Sequence, residues 1–203
     1  MYLQLEDTLK ESISYQEYRN LVTELLAQGK STSKNDSEEL LNFTKLNNSR
    51  MKRLDKTLNS SEKALEILQN VKKKQTWIVL TESWCGDAAH ALPVINKIAE
   101  NSDNIDLRIL LRDENEELMS NFLTDGNKAV PKLIMVDFET NEVIDSWGPR
   151  PSEATKMVQS YKAKHGKLDE DFKKTLQVWY NTNKGENIEQ NILELLCVTA
   201  DCV

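Results

Sequence analysis

The stretch TESWCGDAAHALP, residues 81–93, decides how the chain is read. It lies where one hydrophobic pattern stops and another begins. Before it, Trp77-Ile78-Val79-Leu80 is an unbroken apolar run, as expected of a strand buried on both faces. After it, Ala88, Ala91, Leu92, Ile95, Ile98 and Ala99 recur at helical spacing. Cys85 therefore falls at a strand-to-helix junction, where the free N–H groups of a first helical turn favour a thiolate. A second thiol one turn further on would be its partner, but that position is Ala88.

Downstream of the junction, Ile105, Leu107, Ile109 and Leu111 alternate and predict a second strand. Leu118, Met119, Phe122 and Leu123 predict a helix. Lys132 to Asp137 and Val143 to Trp147 predict two more strands. The link between them, Glu139-Thr140-Asn141-Glu142, is too short for a crossover, so these strands pair as a hairpin. Ala154, Met157, Val158 and Tyr161 predict a helix closed by Gly166; Phe172, Leu176, Trp179 and Tyr180 predict the next, and residues 186–199 are the candidate for one more. The first two strands should be parallel through a right-handed crossover.

Upstream, the first 75 residues read as helices. Ser14 and Glu17 form a capping box ahead of the stripe Tyr18, Leu21, Val22, Leu25 and Leu26, and Gly29 can end that helix. Asp36 and Glu39 predict a second box before Leu40, Phe43, Met51, Leu54 and Leu58, a stripe weakened by polar Thr44 and Asn47. A third helix starts near Ser60 or Ser61, and Lys72, Lys73 and Lys74 suit its C-terminal dipole. The expected organisation is a helical extension over 1–74, an α/β core over 75–166 and a helical tail over 167–203. The extension has three candidate roles: covering a sheet face, covering an edge, or self-association.

Composition narrows the function classes. The 203 residues carry 26 basic and 33 acidic side chains, a net charge of −7, which argues against nucleic acid or an anionic membrane as partner. The basic runs at 50–53 and 72–74 read as solvated helix faces or ends. No apolar run approaches the roughly 18 residues of a membrane span, and Met1 to Lys10 lacks a signal-peptide core, so the expected location is the cytoplasm. Three cysteines are too few for a secreted disulfide framework. Cys197 and Cys202 lack a nearby third ligand, so no metal site is expected, and no cofactor.

The order strand, helix, strand, helix, strand, strand, helix, with Trp84-Cys85-Gly86 after the first strand, resembles the thioredoxin fold. Pro93 stands eight residues beyond Cys85, where thioredoxins kink the following helix. Val130-Pro131 stands where they carry a cis-proline, 46 residues after Cys85. The resemblance covers roughly residues 75–165 and extends to bacterial thioredoxin-like proteins with a W-C-G-D-A motif, a helical N-terminal extension and a W-G-P-R-P segment, here Trp147 to Pro151. It implies an α/β fold with a central mixed sheet flanked by helices. It also implies Cys85 as nucleophile, with Trp84, Gly86, Asp87, Val130, Pro131, Gly148 and Arg150 around the substrate.

The implied chemistry is thiol–disulfide exchange with protein or peptide partners. Ala88 removes the resolving thiol, so resolution must come from an external source such as a low-molecular-weight thiol, or from the Cys197/Cys202 tail. The competing reading is a peptide-binding module without catalysis. Asp87 in the first turn opposes the helix dipole, so the Cys85 thiol is expected not far below the ordinary value of about 8.5. His90, five residues on, is expected to be solvated or at the substrate edge, and Trp84 exposed beside the thiol. Arg112 and Asp113 should lie on the Cys85 side of the sheet, and Gly148 and Arg150 near Pro131. Arg150 either binds a carboxylate or supports a thiolate there, or pairs with Glu153 or another surface carboxylate at its helix start.

Overall fold

A computed structural model describes residues 1–35 and 37–199, with Val198 and Thr199 as backbone only. The elements are α1 (Leu5–Thr8), α2 (Tyr15–Ala27), α3 (Glu38–Thr57), α4 (Glu62–Gln69), β1 (Gln75–Thr81), α5 (Gly86–Glu100), β2 (Ile105–Leu111), α6 (Glu116–Ser120), β3 (Lys132–Asp137), β4 (Val143–Trp147), α7 (Ser152–His165), α8 (Glu170–Asn183) and α9 (Glu186–Thr199). The sheet order is β2-β1-β3-β4. β1 and β2 are parallel, with Leu80 opposite Leu110, while β1–β3 and β3–β4 are antiparallel. This is the mixed α/β sheet expected of a thioredoxin-like fold.

Every residue of β1 is buried, which explains its lack of polar alternation. Trp77, Val79, Ile109, Leu133 and Met135 face one core, built with α5, α7 and the C-terminal helices. Ile78, Leu80, Leu110, Ile134 and Val136 face the other, with Leu5 and Met119 from the short helices α1 and α6. Cys85 packs against both clusters, because it follows the end of the central strand β1, where the two faces meet.

The extension covers both edges of the sheet. Ile13 and Ile109 exchange backbone hydrogen bonds at 3.0 and 2.8 Å, beside β2. On the other side, Leu3 N–H donates to Asn141 O at 3.0 Å and Val143 N–H to Met1 O at 2.9 Å. Paired edges cannot template another strand. Tyr15, Tyr18, Val22 and Met51 of α2 and α3 also enter the larger core.

The capping box of α2 forms as expected: Glu17 N–H donates to Ser14 Oγ at 3.2 Å, and Ser14 N–H to Glu17 Oε2 at 2.7 Å. The start of α3 differs from expectation. Ser37 is its cap, accepting Leu40 N–H at 3.3 Å; Asp36 lies outside the described residues. The buried face of α3 is also re-phased, to Thr44, Asn47, Met51 and Leu54, leaving Phe43 39% exposed. Ser61 caps α4, and Lys72 Nζ donates to Gln69 O at 2.7 Å, closing its C-terminus. No described helix is long and apolar enough to cross a membrane.

Candidate functional site

The site is built where β1 turns into α5. Cys85 is the N-cap of α5, its Sγ accepting Ala88 N–H at 3.4 Å. The thiol donates to Val130 O at 3.2 Å, on the residue preceding the cis Val130–Pro131 bond. The residue is half-buried. Burial pushes the thiol up to about 12, with the charge of Asp87 adding to the rise; the Ala88 and Asp87 N–H groups and Arg150 pull the other way. This corrects the value expected from the sequence. The helix start does supply hydrogen bonds to sulfur, but desolvation outweighs them.

Asp87 is buried, forming an ion pair with Arg150 Nη2 at 2.7 Å and accepting from Tyr180 Oη at 2.9 Å. Arg150 pairs with a carboxylate, that of Asp87 rather than Glu153, and its charge also favours the Cys85 thiolate. Its guanidinium neutralises the carboxylate beside Cys85. His90 is not solvated. It is buried against Tyr180, stacked at 4.4 Å with rings 4° from parallel, and its Nε2 lies 3.0 Å from Gln177 Oε1. Burial lowers its pKa to about 4, so it is a neutral packing group that donates to the glutamine carbonyl.

Trp84 is half-buried rather than exposed, with the Arg112 guanidinium 5.1 Å from its ring centroid. Gly148 approaches Pro131 so closely that a Cβ there would stand 2.2 Å from Pro131 O, and its φ is +116°. Only glycine fits such a position. Gly86 is not so constrained: a Cβ there would make ordinary contacts, with Gln177 Nε2 at 3.4 Å and Arg50 Nη1 at 3.8 Å. The structure thus gathers Trp84, Cys85, Gly86, Asp87, Val130, Pro131, Gly148 and Arg150 at one sheet edge. Cys197 packs at the margin of the larger core, and Cys202 lies outside the described residues.

Several residues at this edge escaped sequence reasoning. Glu82 is fully buried, with its Oε2 accepting from Thr32 Oγ1 and its Oε1 from Asp113 N–H at 2.9 Å. Burial raises its pKa to about 7. Ser83 O accepts from Asn47 Nδ2 at 2.9 Å, and Ser83 Oγ meets Thr44 Oγ1 at 3.0 Å. The available signal was the pair of polar residues, Thr44 and Asn47, interrupting an apolar stripe at helical spacing. They interrupt it because both reach Ser83, Asn47 through its backbone carbonyl and Thr44 through its hydroxyl.

A cavity of about 480 Å³ opens beside Cys85, and neither Val130 nor Pro131 lines it. Its walls are apolar residues of α3 and the α7–α8 region, among them Leu40, Phe43, Leu46, Leu168 and Leu176. Trp84, Cys85 and Gly86 line it, and Arg50, Arg150 and Asp87 supply charge. Among the described residues no cluster of three metal-ligating side chains occurs.

A family model described as Thioredoxin matches residues 33–162. No curated protein matches the sequence. The fold is similar to that of a Pseudomonas aeruginosa protein of unknown function, at TM-score 0.61 and 15% identity over 93% of this chain and 99% of that one. It is also similar to an HIV epitope-scaffold protein, at TM-score 0.55 and 17% identity over 91% and 98% of the two chains.

Proposed function

Given that the chain belongs to the thioredoxin family, we propose that it exchanges thiols with disulfides through Cys85 alone, an external thiol completing the cycle. The observation that carries this reading is the 3.2 Å contact between Cys85 Sγ and Val130 O. It sets the sulfur against the peptide that a bound strand would pair with. An extended substrate can hydrogen-bond beside Pro131 as an added strand and bring its disulfide to Cys85.

Exchange then requires a thiolate. The Cys85 sulfur attacks one sulfur of the substrate disulfide, a mixed disulfide forms, and the departing substrate thiolate takes up the proton that Cys85 has lost. At rest that proton is held on sulfur, donated to Val130 O. Turnover is therefore slow at neutral pH and rises with pH as the thiolate fraction rises. Ala88 is buried and brings no sulfur, so the mixed disulfide waits for another thiol. A reducing cytoplasm would supply one.

A second reading is a peptide-binding module, favoured by a thiol pKa of about 12 and by the buried Asp87–Arg150 pair that keeps the helix start near electrical neutrality. Insulin reduction followed by turbidity, with dithiothreitol as reductant, separates the two. Wild type should exceed Cys85→Ser, and more so at pH 9 than at pH 7. Equal rates would leave only the binding module.

A further inference from the structure

We infer that the cavity over Cys85 docks the resolving thiol, and that this thiol is a small molecule carrying a carboxylate. The inference rests on the monothiol exchange proposed above and names the second substrate of that same site.

Charge in the cavity does not balance. Asp87 is matched by Arg150 at 2.7 Å, and Glu170 by Lys173 at 2.6 Å. Lys174 pairs with Asp171 at 3.3 Å. Arg50 is left over. It is half-buried, its one side-chain hydrogen bond goes to Asn47 Oδ1 at 2.9 Å, and no carboxylate lies within ion-pair distance among the described residues. A half-buried guanidinium facing apolar walls without a counterion recruits an anion. Arg50 Nη1 lies 3.8 Å from where a Cβ on Gly86, the residue after Cys85, would stand, and Arg50 and Cys85 line the same cavity. A molecule whose carboxylate meets Arg50 has its remaining atoms over Cys85, against Leu40, Phe43 and Leu46. In the exchange proposed above the substrate strand runs along Val130 and Pro131, neither of which lines the cavity.

The cycle balances. Cys85 thiol attacks a protein disulfide, giving a mixed disulfide and one protein thiol. The small thiol attacks the Cys85 sulfur, releases the second protein thiol and remains attached to Cys85. A second small thiol attacks that adduct, restoring the Cys85 thiol and leaving as the small-molecule disulfide. One protein disulfide is reduced and two small thiols are oxidised.

The test uses the full chain with Cys197→Ser and Cys202→Ser, so that Cys85 is the one thiol. It is labelled with 4,4′-dithiodipyridine, and release of thiopyridone by 3-mercaptopropionate, 2-mercaptoethanol and cysteamine is timed. Each rate is divided by that of the same thiol on the thiopyridine disulfide of 2-mercaptoethanol, which removes intrinsic reactivity. The carboxylate thiol should show about a tenfold advantage over the neutral one, the value of one charge-assisted contact. Cysteamine should show none. Arg50→Gln should erase the advantage and Arg50→Lys retain part of it. Leu46→Glu, which sets a carboxylate one turn from Arg50 at a half-exposed position, should erase it without touching the cation. Equal normalised rates in the parent, or an advantage surviving both Arg50→Gln and Leu46→Glu, overturn the inference and leave monothiol exchange standing. Failure of Cys85 to form any mixed disulfide removes both.

Discussion

On the strand side of Cys85, Glu82 and Ser83 are held by residues of the N-terminal extension: Thr32, Thr44 and Asn47. On the helix side, Asp87 and His90 are held by Arg150, Tyr180 and Gln177, from the far end of the chain. Both sides bury a carboxyl group. Asp87 meets a guanidinium, whereas Glu82 meets one hydroxyl and one backbone N–H. The difference teaches what each carboxyl does. Burial raises the pKa of both, but at Asp87 the Arg150 guanidinium and the Tyr180 hydroxyl pull it back toward the charged form beside the thiol. Glu82 is a buried acid pushed up to about 7 by desolvation, which its hydroxyl and N–H partners only partly offset.

The contrast breaks if both carboxyls respond alike to removal. Asp87→Ala leaves Arg150 without its partner in a largely buried position, and should cost about 3 kcal/mol of stability at pH 8. Glu82→Gln removes a charge that folding desolvates, and should stabilise the protein at pH 8. Its folded pKa of about 7 against 4.5 bounds that gain at roughly 3 kcal/mol. Urea melts of the two variants should therefore shift in opposite directions.

The pH profile sharpens the same point. Glu82 is raised on folding, so its contribution favours the folded state below pH 4.5 and is lost as pH rises through about 7. His90 is lowered from 6.5 to about 4, so its contribution is present above pH 6.5 and lost as pH falls through about 4. Between pH 6.5 and 4.5 the two oppose each other and the wild-type profile should be shallow. Glu82→Gln leaves only the raised Asp87 to oppose His90, so stability should fall on acidification from pH 6.5 to 4, by at most the roughly 3 kcal/mol that the His90 shift allows. A variant as flat as wild type would show that Glu82 is not the opposing group.

A smaller effect is expected on reactivity. Asp87→Asn keeps an acceptor for Tyr180 but removes the charge that raises the Cys85 thiol, while Arg150 remains. Iodoacetamide alkylation of Cys85 at pH 8 should accelerate about tenfold, corresponding to one pKa unit. An unchanged rate would assign the protonated thiol to burial alone.

Legibility in the sequence followed a physical divide. β1 through α7 were readable because each element carries its own period, and because Pro93, Pro131 and Gly148 occupy spacings tied to backbone geometry. Cys85 was readable because it interrupts those periods at a junction. What could not be read were contacts between elements far apart in sequence. Tyr180 looked like a core aromatic on an ordinary stripe, yet it caps Asp87 and stacks on His90, 90 residues away. His90 was misread as solvated because α5 looks one-sided by sequence until α8 covers its second face. The thiol value was misread for the same reason, since burial is set by the whole assembly and the helix dipole by the local turn. Phe43 reads as a core residue on its stripe, while the cavity that it and Leu46 border needs α8 opposite them.

The smallest effect expected concerns the cation nearest the strand side. Arg112 lies over Trp84 and makes its ion pair with the adjacent Asp113 at 2.6 Å, so Glu82 feels the two charges as a nearly cancelled pair. Arg112→Ala removes the ring contact, worth about 0.5–1 kcal/mol in a half-exposed setting. It also leaves Asp113 unopposed, and Asp113 raises the Glu82 pKa while Arg112 lowers it. The pH step assigned to Glu82 should therefore move to higher pH, whereas alkylation of Cys85 should change little, because the charges that act on the thiol are Asp87 and Arg150. A shift of both readouts together would mean that the two sides of Cys85 are one electrostatic unit. A shift of the Glu82 step alone would establish that the strand-side carboxyl titrates independently of the thiol three residues away.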